Sequence, residues 1–183
     1  MAIESIKLND RDVKKISNVT FGSIQLKSYK VKESQNDEGV VTKRKVFSIE
    51  FFTDKATFKE IKKNYKKLTV EEIDTSDIDR RFHIEPHLPD SDEQYKVTMY
   101  AGAEIPKRDG SGLISLWEEG SMNLNLRPKA YKKDTQENIT NNYFNNGAKG
   151  DVYFIEKTNK FATQPYFFKI DLDEYSLYEK KEV

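Results

Sequence analysis

The sequence has no cysteine, which excludes disulfide bonds and thiolate metal sites and is consistent with a reducing compartment. No apolar run approaches the roughly 18 residues that a membrane helix requires, so we expect no membrane partner. The first residues, MAIESIKLNDRDVKK, lack the apolar core of a signal peptide. The expected location is therefore the cytoplasm, which is the host cytoplasm if the protein is viral.

Motifs that bind phosphate groups or perform catalysis are also absent. The patterns GxxxxGKS/T and GxGxxG do not occur, and Gly110 and Gly112 in KRDGSG are more typical of a hairpin turn. His83 and His87 have the i,i+4 spacing of metal ligands on a helix, but Pro86 lies between them and no third ligand is evident. We therefore expect a protein that is not an enzyme and that has no metal or cofactor.

Paired aspartates are a second type of candidate metal ligand, since carboxylate oxygens bind Mg²⁺. Each pair lies in an acidic segment or on the solvent face of a predicted strand, where a solvated acidic surface is the simpler interpretation. The pairs are Asp77 with Asp79, Asp90 with Asp92, and Asp171 with Asp173.

The net charge of zero is a sum of blocks of opposite sign. Residues 7–67 contain 16 bases and 8 acids, whereas residues 68–95 contain 2 bases and 9 acids. Residues 96–169 are again basic, with 11 bases and 8 acids. Such segregation can give one face of a neutral molecule its own field. The basic blocks also hold most of the Tyr and Phe, and a surface rich in both binds phosphates and stacks bases.

The 183 residues suit a single domain over 1–183. Residues 19–32 and 40–53 are rich in β-branched and aromatic residues and alternate for much of their length. The turn-forming residues ESQNDEG between them predict a long hairpin. Gly22 predicts a bulge or bend in its first strand.

Residues 54–68 have the periodicity of a helix, and Asp54 or Thr57 can cap its start. Six lysines occupy the positions between the apolar residues. The apolar residues are spaced 3, 4 and 3 and predict one buried helical face: Phe58, Ile61, Tyr65 and Leu68.

The remaining sequence predicts short strands and long loops. Residues 69–94 are acidic and interrupted by two prolines, and they predict an irregular surface excursion. The segments 105–111 and 128–150 are predicted loops, the second long and basic or Asn-rich. Further strands are predicted at 95–103, 112–118, 120–127, 150–157 and 165–178. The pattern predicts a mainly β fold, namely an OB-type five-stranded barrel with extra strands and one amphipathic helix, or alternatively a β-sandwich with a helix.

Basic and aromatic residues are interleaved in the predicted hairpin and in the loops. On the first strand Lys27, Tyr29 and Val31 are expected to share one face. Aromatic residues are more often part of the core, but Tyr131 and Tyr143 lie in polar loops where burial is less expected. The candidate stacking residues are Tyr29, Tyr131 and Tyr143, and the candidate electrostatic contacts are Lys27, Lys43, Arg44, Lys45, Lys107, Arg108, Arg127, Lys129 and Lys132.

Four elements follow one another in the C-terminal part of the chain: Arg127-Pro128-Lys129 at the end of a strand, a long loop closing with Gly147 to Gly150, a strand through Val152 to Ile155, and a last strand with Phe167 to Leu172. This order resembles the C-terminal half of bacteriophage single-stranded-DNA-binding proteins of OB fold. The resemblance implies a phage or mobile element as the source. The ending SLYEKKEV departs from the long acidic tail by which such proteins recruit replication partners.

The sequence thus predicts a sequence-tolerant single-stranded DNA-binding protein that acts in phage or mobile-element replication or recombination. The sequence leaves open whether the protein also binds RNA, forms a homo-oligomer or binds a replication protein. The alternative is a protein-interaction module, such as a phage structural or host-inhibiting protein, that acts through the acidic block.

Overall fold

The computed structural model describes residues 3–35, 37–65, 82–86, 95–106, 109–115, 127–158 and 163–178. Within these ranges no helix is long and apolar enough to span a membrane. The described elements are one helix, α1 (Lys55–Asn64), and the strands β1 (Ile3–Leu8), β2 (Arg11–Gln35), β3 (Val41–Thr53), β4 (Phe82–Pro86), β5 (Tyr95–Gly102), β6 (Glu104–Pro106), β7 (Leu113–Ser115), β8 (Lys129–Lys132), β9 (Tyr143–Phe144), β10 (Lys149–Thr158), β11 (Thr163–Glu174) and β12 (Leu177–Tyr178).

Eight of these strands form one sheet that curls partway into a barrel. The neighbours in the main sheet follow the order β4-β5-β3-β2-β10-β11-β8, and β1 pairs with β2 outside this path. Strand β11 also lies against β5, so the sheet curls around a core of buried aliphatic and aromatic residues. This arrangement is an OB-type barrel. The predicted mainly β fold with extra strands and one helix is confirmed. Because the main strands form one curled sheet rather than two packed sheets, the β-sandwich alternative is wrong.

The predicted long hairpin is present as β2 and β3, which pair antiparallel from Thr20 opposite Phe52 to Gln35 opposite Val41. The register shifts after Phe21, next to Gly22, as the sequence predicts. Strand β2 begins earlier than predicted because its polar first part pairs with β1. That strand was missed, since residues 3–18 alternate only weakly between apolar and polar side chains.

Helix α1 begins after Asp54, whose side chain accepts a hydrogen bond from the Thr57 amide at 2.7 Å. It packs on the barrel through the predicted face: Ile61 is fully buried and Tyr65, at its C-cap, is 2% exposed. The Tyr65 hydroxyl donates to Glu156 on β10 at 3.1 Å. Burial, with Glu156 as a further cause, raises the pKa of Tyr65 above its ordinary value. The predicted end of the helix, residues 66–68, lies outside the described residues.

At its other end, α1 contacts β5 through an aromatic pair. The rings of Phe58 and Tyr95 are stacked with their centroids 4.2 Å apart. The helix therefore bridges β5 and β10, two strands that are not neighbours in the sheet. Because it touches both, α1 closes one end of the barrel's core.

Several predicted boundaries differ from the structure. Phe82–Pro86, placed in the acidic excursion, is strand β4 and pairs with β5, while the rest of 69–94 lies outside the described residues. The segment 128–150 is not a free loop, because it contains β8, which runs parallel to β11, and β9. The last predicted strand is divided, and its end is β12, which pairs with β9. Of the predicted strand 120–127, only Arg127 is described, and it lies in a bend.

Candidate nucleic-acid interface

The tip of the β2–β3 hairpin extends beyond the barrel. We call residues 30–46 the arm, because β5 pairs with β3 only from Val46 onward. In the arm, Lys45 lies opposite Val31 and Lys43 opposite Glu33, whereas Arg44 lies opposite Lys32. Since successive strand residues alternate between the faces of a sheet, position 44 is on the other face from positions 43 and 45. Lys43 and Lys45 therefore share one face of the arm.

A bulge in β2 interrupts the predicted shared face of Lys27, Tyr29 and Val31. The register between β2 and β3 shifts between Gln25 and Lys30, so the strand bulges and the alternation is interrupted. As a result, Lys27 and Tyr29 have different neighbours. Tyr29 is half-buried against the core, and its ring lies 4.9 Å from the Lys45 ammonium.

The bulge of β2 forms one wall of a cleft of about 780 Å³. Residues 142–146 form the facing wall, and Tyr178 of β12 also lines it. The Lys27 ammonium lies 4.6 Å from the centroid of the Tyr143 ring, which stacks on Tyr178 at 5.6 Å. We call this the Tyr143 cleft. Among the residues that the structure describes, the lining includes one lysine and two tyrosines and no acidic residue.

A second tyrosine of the segment 128–150 lies on β8, the strand that pairs with β11. Tyr131, on β8, is half-buried, and the Lys169 ammonium lies 5.2 Å from its ring centroid. Lys169 is also 4.9 Å from the Tyr153 ring. Next to it, Lys132 forms an ion pair with Glu137 at 3.0 Å, which raises the pKa of Lys132.

Arg127, expected at the end of an exposed strand face, and Lys129, expected in a loop, are less accessible than predicted. Arg127 is 8% exposed, and its guanidinium carbon lies 5.8 Å from the Phe47 ring centroid. The Lys129 ammonium donates to the Arg127 carbonyl oxygen at 3.2 Å. Burial, followed by repulsion from Arg127, lowers the pKa of Lys129. These two cations contribute a positive field near β8 while holding the start of that strand against the barrel.

A group of buried charges lies next to β8. Asp171, expected on the solvent face of a strand, is buried there, and Asp151 was not singled out from the sequence. Asp151 and Asp171 are cross-strand neighbours on β10 and β11. Asp151 accepts a hydrogen bond from the Asn18 amide at 3.0 Å and lies 3.3 Å from the Lys133 ammonium. Desolvation and the Asp171 carboxylate raise the pKa of Tyr153. Among the described residues, no group of three or more metal-ligating side chains occurs, and the lysines balance this cluster.

Some predicted residues cannot be placed. Lys107 and Arg108 lie outside the described residues, as do the paired aspartates at 77, 79, 90 and 92 and His87. His83 belongs to a strand rather than a helix, so the argument for metal ligands at i,i+4 on a helix does not apply. Of the described candidates, the structure brings Lys27 to Tyr143 and Lys45 to Tyr29.

The chain matches no protein-family model and no curated protein sequence. It is similar in structure to gp2.5, a single-stranded DNA binding protein encoded by bacteriophage T7. The TM-score is 0.51 with 11% identity, over 94% of this chain and 97% of that one. The chain has the fold of a phage single-stranded-DNA-binding protein. A C-terminally truncated single-stranded DNA-binding protein from bacteriophage Enc34 is also similar, with a TM-score of 0.41 and 12% identity over 94% of both chains.

The likeness to the T7 protein covers 94% of this chain, so at the level of fold it extends the resemblance seen in the C-terminal part of the sequence. Two residues of the interface, Lys169 and Tyr178, were not singled out from the sequence, which placed both in the predicted strand 165–178. The structure shows their role through their contacts: the Tyr178 ring stacks on Tyr143, and the Lys169 ammonium lies over the Tyr131 ring.

Proposed function

We propose that this protein binds single-stranded DNA without sequence preference and without catalysis, in phage or mobile-element replication or recombination. One observation supports the proposal above all others. Each of the three tyrosines predicted to stack on bases has a lysine ammonium within 5.2 Å of its ring centroid: Tyr29, Tyr131 and Tyr143.

Such a pair combines the two elements that sequence-tolerant binding requires. A tyrosine ring stacks on any base, since every base has a π-face. A lysine beside the ring binds the phosphate of the same nucleotide and stabilises the ring by a cation–π contact in the free protein. Lysine is well suited to this exchange because its flexible stem lets the ammonium move from ring to phosphate. The T7 protein with the same fold is described as binding single-stranded DNA.

The proposed path of the strand connects the arm with the Tyr143 cleft. Strand β2 contributes to both, because its bulge, which contains Lys27 and leads into Tyr29, forms one wall of the cleft and continues into the arm. Tyr131 and Lys169 offer a second contact beyond β11. Lys43 is available for phosphate because its ion pair with Glu33 is largely exposed, and exposed pairs are worth only about 0–1 kcal/mol.

The first test is a titration of fluorescent oligo-dT at two salt concentrations. Because lysines that bind phosphates release counterions, we expect the affinity to decrease steeply as salt rises. A matched oligo-U strand measures the preference for DNA over RNA. If the protein binds no oligonucleotide even at low salt, the proposal is wrong and the protein-interaction alternative replaces it.

The second test replaces Tyr131 and Tyr143 together by alanine. Stacking contributes roughly 1–3 kcal/mol per base, so oligo-dT affinity should decrease about tenfold or more. The salt dependence should stay nearly constant, because no phosphate contact is removed.

The matched control replaces the same two tyrosines by phenylalanine, which keeps the rings and their packing. We expect affinity close to that of the parent protein. A double alanine variant that keeps its affinity and loses melting temperature would show that these tyrosines serve the core instead.

A further inference from the structure

Helix α1 has a row of lysines on the side that faces away from the barrel. Lys55, Lys59 and Lys63 follow one another at intervals of four residues, and all three are exposed. Because residues four apart are neighbours on a helix surface, the three lie in one line, about 6 Å apart along the helix axis. We call them the α1 ridge. Among the described residues, no carboxylate forms an ion pair with any of them.

The ridge lowers the stability of the helix on which it lies. Like charges four residues apart repel one another. Lys55 is the first residue of α1, where the helix dipole disfavours a cation, and only Lys63, in the last turn, is placed favourably. The first turn has no acidic residue, and the Asp54 carboxylate before it accepts from the Thr57 amide. Sequences break such local rules mainly where a residue serves function.

The ridge is distant from the arm. Strand β3 runs from Lys45, beside the Tyr29 ring, to Thr53, and α1 follows directly. At about 3.3 Å per residue, these eight steps span about 26 Å. The Debye length is only about 10 Å at 0.1 M salt, so the ridge is screened from a strand bound at Tyr29. Its charge therefore acts on a ligand only where the ligand reaches the helix.

The composition of the ridge favours phosphate groups over a protein partner. Protein–protein interfaces have an apolar and aromatic centre and are depleted in lysine, and none of the exposed large hydrophobic residues in the described part of the chain lies on α1. The Phe58 ring stacks on Tyr95, and Tyr65 is buried, so the helix offers no surface for base stacking. Lysines without such rings bind the phosphate backbone and do not read the bases.

We propose that the α1 ridge is a further contact for the bound single strand, where it binds phosphates of the nucleotides that continue past the lysine–tyrosine pairs. This inference rests on the proposed function and deepens it. A short strand is held by stacking and charge at the tyrosines alone. A longer strand is held in addition by phosphate contacts at α1, so the ridge adds affinity only when the strand is long enough to reach it.

The experiment measures the binding of two fluorescent oligo-dT strands, of about 8 and about 20 nucleotides, because one OB fold occupies roughly 4–16 nucleotides. The test variant combines Lys55→Gln, Lys59→Gln and Lys63→Gln, since glutamine is also a good helix former. We expect its affinity for the longer strand to fall about tenfold near 0.1 M salt, and its log–log salt slope to decrease by about 2, at about 0.7 per phosphate contact. Because of screening, its affinity for the shorter strand should stay within about twofold.

The matched control replaces the same three lysines by arginine, which keeps the charge, and it should bind both strands like the parent protein. Since the glutamine variant lacks the repulsion between like charges, it should melt no lower than the parent. If its affinity for the longer strand is unchanged, or if both strands lose affinity equally, the inference is wrong and single-stranded DNA binding stands. Failure of the parent protein to bind either strand at low salt would instead remove the proposed function itself.

Discussion

Replacing Ile61 by alanine should lower the free energy of unfolding by about 2–5 kcal/mol, the usual range for a buried large-to-small change. Ile61 is fully buried between α1 and the barrel. The cavity cannot be filled easily, since the helix is held on one side by the stacking of Phe58 on Tyr95 and on the other by Tyr65. Equilibrium unfolding in urea measures the effect.

Lys63→Ala is the matched control on the same helix, because Lys63 is exposed. Its effect should stay within about 0.5 kcal/mol, the usual range for surface positions. If Ile61→Ala also stays within that range, the apolar face of α1 does not pack on the barrel, and the lysine-rich helix has another role.

Replacing Gly150 by alanine is expected to destabilise the protein by about 1–3 kcal/mol, because overpacking forces the backbone to move. A Cβ at this position would overlap the carbonyl oxygen of Asp171 on the neighbouring strand and lie 3.0 Å from the Leu172 Cα. Both obstacles are backbone atoms, so no side chain can rotate out of the way. The shift would also disturb Asp151, which adjoins Gly150 and accepts from the Asn18 amide.

Gly22→Ala is the control for this variant. A Cβ at Gly22 would approach only side-chain atoms of Glu50 and Phe52, at 3.2 to 3.4 Å, and these can yield. We expect thermal and urea unfolding to show a clearly smaller loss for Gly22→Ala than for Gly150→Ala. Equal losses would mean that overlap with the β11 backbone is not what destabilises the Gly150→Ala variant.

The main elements of the fold could be predicted because their signals are local. The alternation in 19–32 and 40–53 predicted β2 and β3, and the 3-4-3 spacing predicted the face of α1 that contains Ile61 and Tyr65. Strand β1 and the short strands β8 and β9 could not be predicted in this way. They are polar or only two to six residues long, and they are stabilised by partners far away in the chain.

The composition of the candidate interface followed from the sequence, but its geometry did not. The sequence by itself determined that lysines and tyrosines are concentrated together, away from the acidic block, because both properties are counts along the chain. The tertiary structure alone decided which lysine meets which ring. Lys27 reaches Tyr143 because β2 bulges after Gln25, and Tyr178 stacks there because β12 pairs with β9. Arg127, expected at a surface, is buried against Phe47. Such contacts depend on the register and closure of the barrel, which are set by pairing between distant strands rather than by local periodicity.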